Sequence, residues 1–406
     1  MQNGTVRNPV RIGIAGLCAA ILGLAGARGQ PASPATTQAI APAEVRRILS
    51  FSPQDAVARE QALSPEIRDR LASIRAQVEQ QGGRFSVGYT PALELPLEVL
   101  AGTRIPRSQP GIAATVNRRA AALRSIDVES ARLGRVDLSK LLAACSPRAA
   151  AFDWRRSGKV TPVKAQSCGT CWDFTAMGAY EGSYAIRNGA QIDTSEQHIL
   201  NCAGAGTCAG GWWMPVYDYM LTHGAAHEQS APFTGDDHQA CPGSIATPFR
   251  AASWGFVAND VGTIPTVQAI KQALCAHGPL ATALQATPAF QAYDSTDAVF
   301  DESSQHFDWI NHGVVIIGWD DAKRAWLIKN SWGPAWGGTG GFGTERGYAW
   351  VAWNSNNIGI ATAWVDAVST RFALRPEWLQ KMKQLDLKVQ PLPRPEPPNP
   401  ILRPNG

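Results

Sequence analysis

The chain has 406 residues, 45% of them hydrophobic and 8% aromatic, enough for two lobes or domains with full cores. A formal charge of only +4, with no dense Lys/Arg stripe, argues against nucleic acid as a partner. Eight cysteines make the redox compartment the next question, and the N-terminus bears on it.

Arg7 and Arg11 precede an apolar run from Ile12 to Ala25, and Ala25-Gly26-Ala27 and Ala27-Arg28-Gly29 are small-residue cleavage candidates. Residues 1–27 therefore read as a secretory signal peptide. The run is 14 residues long, short of the ~20 that span a bilayer, so no stable membrane span is expected. Leu17 before Cys18 argues against a lipid-anchored start. Export, to a periplasm or out of the cell, makes the cysteines disulfide candidates. Without Cys18 seven remain, so one must stay free or pair between chains.

Residues 28 to about 50 are Ala/Pro/Thr-rich and read as disordered. Ser64-Pro65 opens a helix with an apolar stripe of Ile67, Leu71, Ile74 and Val78, and Gly82-Gly83 ends it. Arg84 to Tyr89 looks extended. The stretch 100–147 is Arg/Ala-rich without a clear core pattern. Residues 28–147 thus form a small helical module with a linker. From Ala150 tryptophan and glycine rise, and Phe152-Asp153-Trp154 marks the start of a main domain over 148–367. Helices are predicted from Cys171 to Arg187, from a Thr194/Gln197 capping box through Leu200, from Pro215 to Thr222, and from Thr266 to Ala276. Strands follow at Leu280–Leu284, 313–319, 325–330 and Tyr348–Trp353. Helices first and strands later give an α+β domain with two lobes. Residues 368–406 read as a tail, with a short helix from Trp378 to Leu387 and an extended Pro-rich stretch over 391–398.

The chemistry concentrates on Cys171, His312 and Asn330. A thiol of pKa ~8.5 is a few per cent thiolate at neutral pH, and a helix N-terminus plus an imidazolium favour the anion. With Asp321 as the centre of the 313–330 hairpin, His312 and Asn330 are both nine residues away and fall opposite each other. The amide can then orient the imidazole. The oxyanion of acyl transfer needs fixed donors, and the Cys171 N–H and Gln166 amide are candidates. Competing readings are a thioredoxin-like or zinc use of Cys168-x-x-Cys171, the latter with Cys202 and Cys208, although no βαβ pattern surrounds the motif and disulfides suit an exported chain better. For any one of the seven histidines taken alone, a core role is the default.

Several strings agree on more than this. Val160-Thr161-Pro162-Val163-Lys164-Ala165-Gln166, Cys168-Gly169-Thr170-Cys171-Trp172, Ser195-Glu196-Gln197, Asn201-Cys202, Cys208-Ala209-Gly210-Gly211, Asn311-His312-Gly313 and Lys329-Asn330-Ser331-Trp332-Gly333 closely resemble the papain-like cysteine proteases, in family order over about 150–367. The 141 positions from Cys171 to His312 suit the family spacing of ~130–150. The resemblance implies a helical lobe and a β-barrel-like lobe with the active site in the cleft between them, and no cofactor or metal. It implies Cys171 as nucleophile, His312 as acid/base, Asn330 as its orienter and Gln166 as oxyanion donor. Trp332 would shield the His–Asn bond, and Gly210 and Gly211 would pair with an extended peptide or protein substrate. Trp212, Ala283, Ile310 and Asn311 would form the main side-chain pocket. Cys168–Cys208 and Cys202–Cys241 would be disulfides, each closing about 40 residues and contributing roughly 4 kcal/mol in the loop-entropy model. The front third would be an inhibitory propeptide, with Phe85 to Thr90 nearest the cleft, on a monomeric endopeptidase.

The sequence departs from the family in places. Four residues separate Gln166 from Cys171, one fewer than usual, which bears on the oxyanion geometry. Asp173 replaces an alanine, suiting the helix dipole but opposing a thiolate. Ile358 stands where a third disulfide's cysteine would be, and a bond between Cys145 and Cys275, which lack family partners, is one option. Neither the family's longer propeptide helix signature nor an exopeptidase-type occluding loop is evident. The alternative from another class is a catalytically silent peptide-binding or surface-associated protein that keeps the cleft.

Overall fold

The computed structural model describes residues 40–106, 111–372 and 380. The expected signal peptide and the Pro-rich tail lie outside these residues, as does all of the 378–387 helix but Gln380. Among the described residues no helix is long and apolar enough to cross a membrane.

Three helices open the described chain: α1 Pro42–Leu49, α2 Pro53–Glu60 and α3 Pro65–Gln80. Each has a proline in its first turn, where the missing N–H costs nothing. Ser64 caps α3 by accepting from Ile67 N at 3.3 Å, and Leu71, Ile74 and Val78 are buried, as the stripe predicts. Next come α4 Leu97–Leu100, α5 Ile112–Leu133 and α6 Leu138–Leu141. The rest holds α7 Cys171–Asn188, α8 Glu196–Cys202, α9 Trp213–Thr222, α10 Val267–His277 and α11 Pro288–Gln291. Its strands are β1 Ala151–Asp153, β2 Gly206–Thr207, β3 Gly210–Gly211, β4 Ala251–Phe256, β5 Leu280–Leu284, β6 Val299–Phe300, β7 His312–Asp320, β8 Ala325–Lys329, β9 Tyr348–Ala352 and β10 Ile360–Ala367.

Eight strands form one sheet in the order β4-β10-β5-β7-β8-β9-β6, with β1 added to β7, and β2 pairs with β3 separately. Helix α7 packs against β5, β7 and β10, so the nucleophile's helix lies directly on the strand that begins with His312. One core gathers Trp172, Trp213 and Tyr217 of the helices with Trp254 of β4. A second surrounds Phe290, Trp319, Trp332 and Trp336 of the β lobe, and it also takes Leu49, Leu71, Ile74, Phe85 and Leu93 from the front segment. Phe85 meets Phe300 at a centroid distance of 4.7 Å. The fold is a two-lobed α+β papain fold.

Several expectations need correction. Residues 42–49, within the stretch read as disordered, are helical and bury Val45, Ile48 and Leu49. The 100–147 region holds the 22-residue α5, whose buried face is Ala113, Val116, Ala120, Leu123, Asp127 and Ala131. Alanines and a paired aspartate made that stripe hard to see. The cap of α8 is Ser195, accepting from His198 N at 2.9 Å; Thr194 instead donates its hydroxyl to Glu181. Strands β4 and β10 went unpredicted. The β7–β8 register also differs: Asp320 faces Ala325, and after a shift between Ile316 and Gly318, Val315 faces Lys329. The centre of the hairpin thus lies one to one and a half residues further along than Asp321, so Asn330 is not directly opposite His312, whose partner on the other side is Leu284 of β5.

Candidate active site

Cys171 is the first residue of α7, fully buried, and the free cysteine among the described residues. Its position puts the sulfur at the positive end of the helix. His312 begins β7, and Asn330 follows the end of β8. The register makes them diagonal neighbours on one face, still within side-chain reach, and His312 Nε2 lies 2.8 Å from Asn330 Oδ1. That oxygen also accepts from Ser331 N at 2.8 Å, so it must be the amide's acceptor, and Nε2 must be the donor. Nδ1 has no hydrogen-bond partner among the described residues. The bond to Asn330 therefore leaves Nδ1 as the nitrogen able to exchange a proton with the thiol.

Burial pushes the Cys171 thiol up, but the charge of His312 beside it, with help from Thr103 and Gly313 N–H, outweighs it and lowers the thiol from 9.0 to about 7. His198, on α8, instead packs beside Tyr219 at a centroid distance of 5.9 Å. The Trp332 ring lies 4.6 Å from the His312 ring, backed edge-on by Phe290 and Trp336. This apolar wall keeps water from the His312–Asn330 bond.

At the start of the shortened 166–171 loop, Gln166 is fully buried. Gln166 Oε1 accepts from Ser331 Oγ at 2.8 Å, which fixes Nε2 as the inward donor. Nε2 donates to Cys168 O at 2.7 Å and to Leu100 O at 2.9 Å. Asp173 is fully buried with neither carboxylate oxygen hydrogen-bonded. Burial, reinforced by Glu196, holds its carboxyl well above the usual range. That shift disfavours a negative charge on Asp173, so it opposes a thiolate less than the sequence suggested.

The front segment crosses the cleft at a place the sequence reading missed. Phe85 to Thr90 lies elsewhere: Val87 bridges Tyr293, and Phe85 packs on Phe300. The stretch at the nucleophile is Leu100 to Ile105. Gly102 N and Thr103 Oγ1 each lie 3.2 Å from Cys171 Sγ. Thr103 N donates to Asn311 O at 2.8 Å, Arg104 N to Gly211 O at 2.8 Å, and Gly211 N to Gly102 O at 3.0 Å. The bridge between Thr103 and Gly211 is parallel. An added Cβ at Gly102 would sit 2.5 Å from the Gly169 carbonyl carbon and closer still to its oxygen, so only glycine passes there undisturbed. The available signal was a glycine among apolar residues, ahead of a long helix.

Gly210 and Gly211 form β3 at the cleft edge, and Gly210 has φ +134°, a region that favours glycine. Trp212, Ala283 and Ile310 are buried and share one apolar cluster with Ile105. Asn311 has its side chain tied to Ala286, accepting from its N at 2.7 Å and donating to its O at 3.0 Å. Asp308 is 84% exposed and cannot charge the pocket. The disulfides are Cys168–Cys208, Cys202–Cys241 and Cys145–Cys275. These bonds use the sulfurs that a zinc or dithiol site would need; His198, Cys202 and Cys241 do cluster, but both cysteines are in the disulfide. Ile358 is a buried core residue where the family's further disulfide would be.

A family model for papain family cysteine proteases matches residues 148–368, more than half of the chain. The chain belongs to that family of cysteine-type peptidases. Digestive cysteine proteinase 3 of Homarus americanus is 34% identical over 237 residues, 54% of this chain and 67% of that protein. Cathepsin K of Mus musculus is 33% identical over 211 residues, 51% of this chain and 60% of that protein. The chain spans 60% to 67% of the length of the curated relatives it matches. Among solved structures, digestive procathepsin L 3 of Tenebrio molitor larval midgut aligns with a TM-score of 0.54 at 22% identity, covering 80% of this chain and 97% of that one. A recombinant stem bromelain precursor aligns at 0.55 and 21%, covering 78% and 93%. These two likenesses establish the fold.

Proposed function

We propose that the chain is the zymogen of an exported, monomeric cysteine endopeptidase. Cys171 attacks the peptide carbonyl, and His312, oriented by Asn330, carries the proton from the thiol to the leaving amine. Gln166 Nε2 and the Cys171 N–H receive the oxyanion, and water then hydrolyses the acyl-enzyme. The observation that carries this reading is the buried thiol at a helix N-terminus, lowered to about 7 chiefly by His312 against its burial. An unused cleft would need no such thiol, which favours catalysis over a silent binding protein.

The front segment is the inhibitor. It offers the sulfur an amide N–H and a hydroxyl at 3.2 Å, and so fills the cleft at the nucleophile. Its Leu100 carbonyl takes the Gln166 donor. The procathepsin named among the solved structures supports the zymogen reading, and the apolar run at 12–25 supports export. Cys171→Ala should abolish turnover of a fluorogenic peptide while leaving the thermal midpoint near wild type, since it removes little volume. Turnover near wild type would mean a different nucleophile.

A further inference from the structure

Residues 112–147 lie between the cleft-crossing stretch and the region shared with the family. They are attached to the body in a different way from the residues before them. Within 40–106, the described ion pairs are internal: Arg47–Glu44, Arg59–Glu94 and Arg75–Glu60. That part meets the body through apolar contacts and neutral partners, such as the Arg70 hydrogen bond of 2.7 Å to Gln291. It can leave without stranding a charge.

Helix α5 cannot. It packs along β4, the last strand of the sheet. Asn117 Oδ1 accepts from Phe256 N at 2.8 Å, and its Nδ2 donates to Ala258 O at 3.2 Å, so this side chain serves the open edge of the sheet. Arg119 pairs with Asp218, which is 8% exposed and also accepts from Trp254 Nε1 at 2.8 Å. Asp127 pairs with Arg187 at 2.6 Å, with 1% and 9% exposure. Further on, Cys145 is bonded to Cys275 of α10. Loss of this stretch would bare a strand edge and take Arg119 from Asp218 and Asp127 from Arg187, breaking two nearly buried ion pairs, which is unfavourable.

We infer that residues 112–147 are a permanent part of the mature enzyme, covering β4 and locked by Cys145–Cys275. The processing that clears the cleft then hydrolyses a peptide bond upstream of Ile112. If the chain is also cut before the family region, the disulfide keeps the excised piece attached. This rests on the zymogen reading, but its test need not.

The experiment is intact-mass measurement of the processed full-length chain, before and after reduction. Wild type is allowed to process itself, and the Cys171→Ala chain is treated briefly with an added endopeptidase, so that absent catalysis cannot hide the answer. Without reductant, the processed body should contain the mass of 112–147 in both cases. With reductant, that mass either stays in the main chain or separates as one piece; both outcomes support the inference. A stable processed body whose unreduced mass begins at or after residue 148 would overturn it. A second readout is the thermal midpoint of the processed Asp127→Asn protein. It should fall below that of processed wild type, and an unchanged midpoint would also overturn the inference.

Discussion

Replacing Gly102 by alanine tests the cleft geometry most directly. The new methyl would meet the Gly169 backbone at 2.5 to 2.7 Å or less, and neither the disulfide-held Cys168–Cys208 loop nor the strand can yield by a rotamer change. The cleft stretch must therefore lift. Its three backbone bonds to Asn311 and Gly211 run at 2.8 to 3.0 Å. At about 0.5–1.5 kcal/mol net for each bond, their loss costs about 1.5–4.5 kcal/mol. At 1.4 kcal/mol per factor of ten, the open fraction rises about 10- to 1,000-fold. The assay is iodoacetamide labelling of Cys171 in the full chain, followed by peptide mapping, because that sulfur has no exposure while the segment is in place. When opening and closing are fast, the labelling rate follows the open population. Gly243→Ala, where an added Cβ meets nothing within 4 Å, is the control. A Gly102→Ala rate within about twofold of wild type would refute the blocking geometry, since ~0.4 kcal/mol is less than one backbone bond.

Labelling of Cys171 against pH should have its midpoint near 7 and not near 9, and His312→Gln should move it upward. The folded thiol is the stronger acid, so its ionisation stabilises the fold fully above pH 9, and this contribution is lost as pH falls through about 7. A midpoint that ignores His312 would remove the histidine from the pair. Asp173 is the opposite case, a carboxyl raised by burial, so its stabilising share is present at low pH and lost as pH rises above the ordinary carboxylate range. Asp173→Asn should therefore raise the melting midpoint more at pH 7 than at pH 4, and an equal shift at both would contradict a carboxyl raised by burial. The pocket of Trp212, Ala283 and Ile310 should prefer Leu or Phe to Arg in kcat/KM on matched peptides, since these residues are apolar and Asp308, the nearest acidic residue in sequence to Asn311, is 84% exposed. An Arg peptide cleaved faster than both would refute the pocket.

The parts of this structure that the sequence made legible are those fixed by local chemistry. Ser64-Pro65 capped α3 as read, β5 has the expected bounds, and α7 runs from Cys171 to one residue past its expected end. The disulfide partners Cys168–Cys208 and Cys202–Cys241 came from the family motifs, not from any local rule. The pairing of His312 with Asn330 was right for a reason that was partly wrong. A shifted turn and an irregularity near Gly318 moved the register, while the period of two in a strand kept both side chains on one face. Residues 100–133 were illegible because their pattern makes sense only against a partner. Ala113, Ala120 and Ala131 are buried on a helix that packs along β4, and Asp127 is buried where Arg187 meets it. Gly102 gave no hint of its neighbour Gly169, 67 positions away in sequence and in contact through the fold.

The two hydrogens of the Gln166 amide have a consequence for how the enzyme is switched on. In the structure one is given to Cys168 O and the other to Leu100 O, which the Trp332 indole also approaches at 3.4 Å. Departure of the front segment takes away the second acceptor but leaves the first, and the Ser331 hydroxyl still holds the far side of the amide. The side chain therefore has no reason to turn. Activation creates one aimed N–H with no acceptor, next to a thiol already inclined to ionise, and the strongest acceptor to arrive there is the oxygen of a carbonyl under attack. On the zymogen reading proposed above, the front segment thus keeps the Gln166 amide aligned while it blocks it, so no rearrangement of the amide has to precede the first turnover.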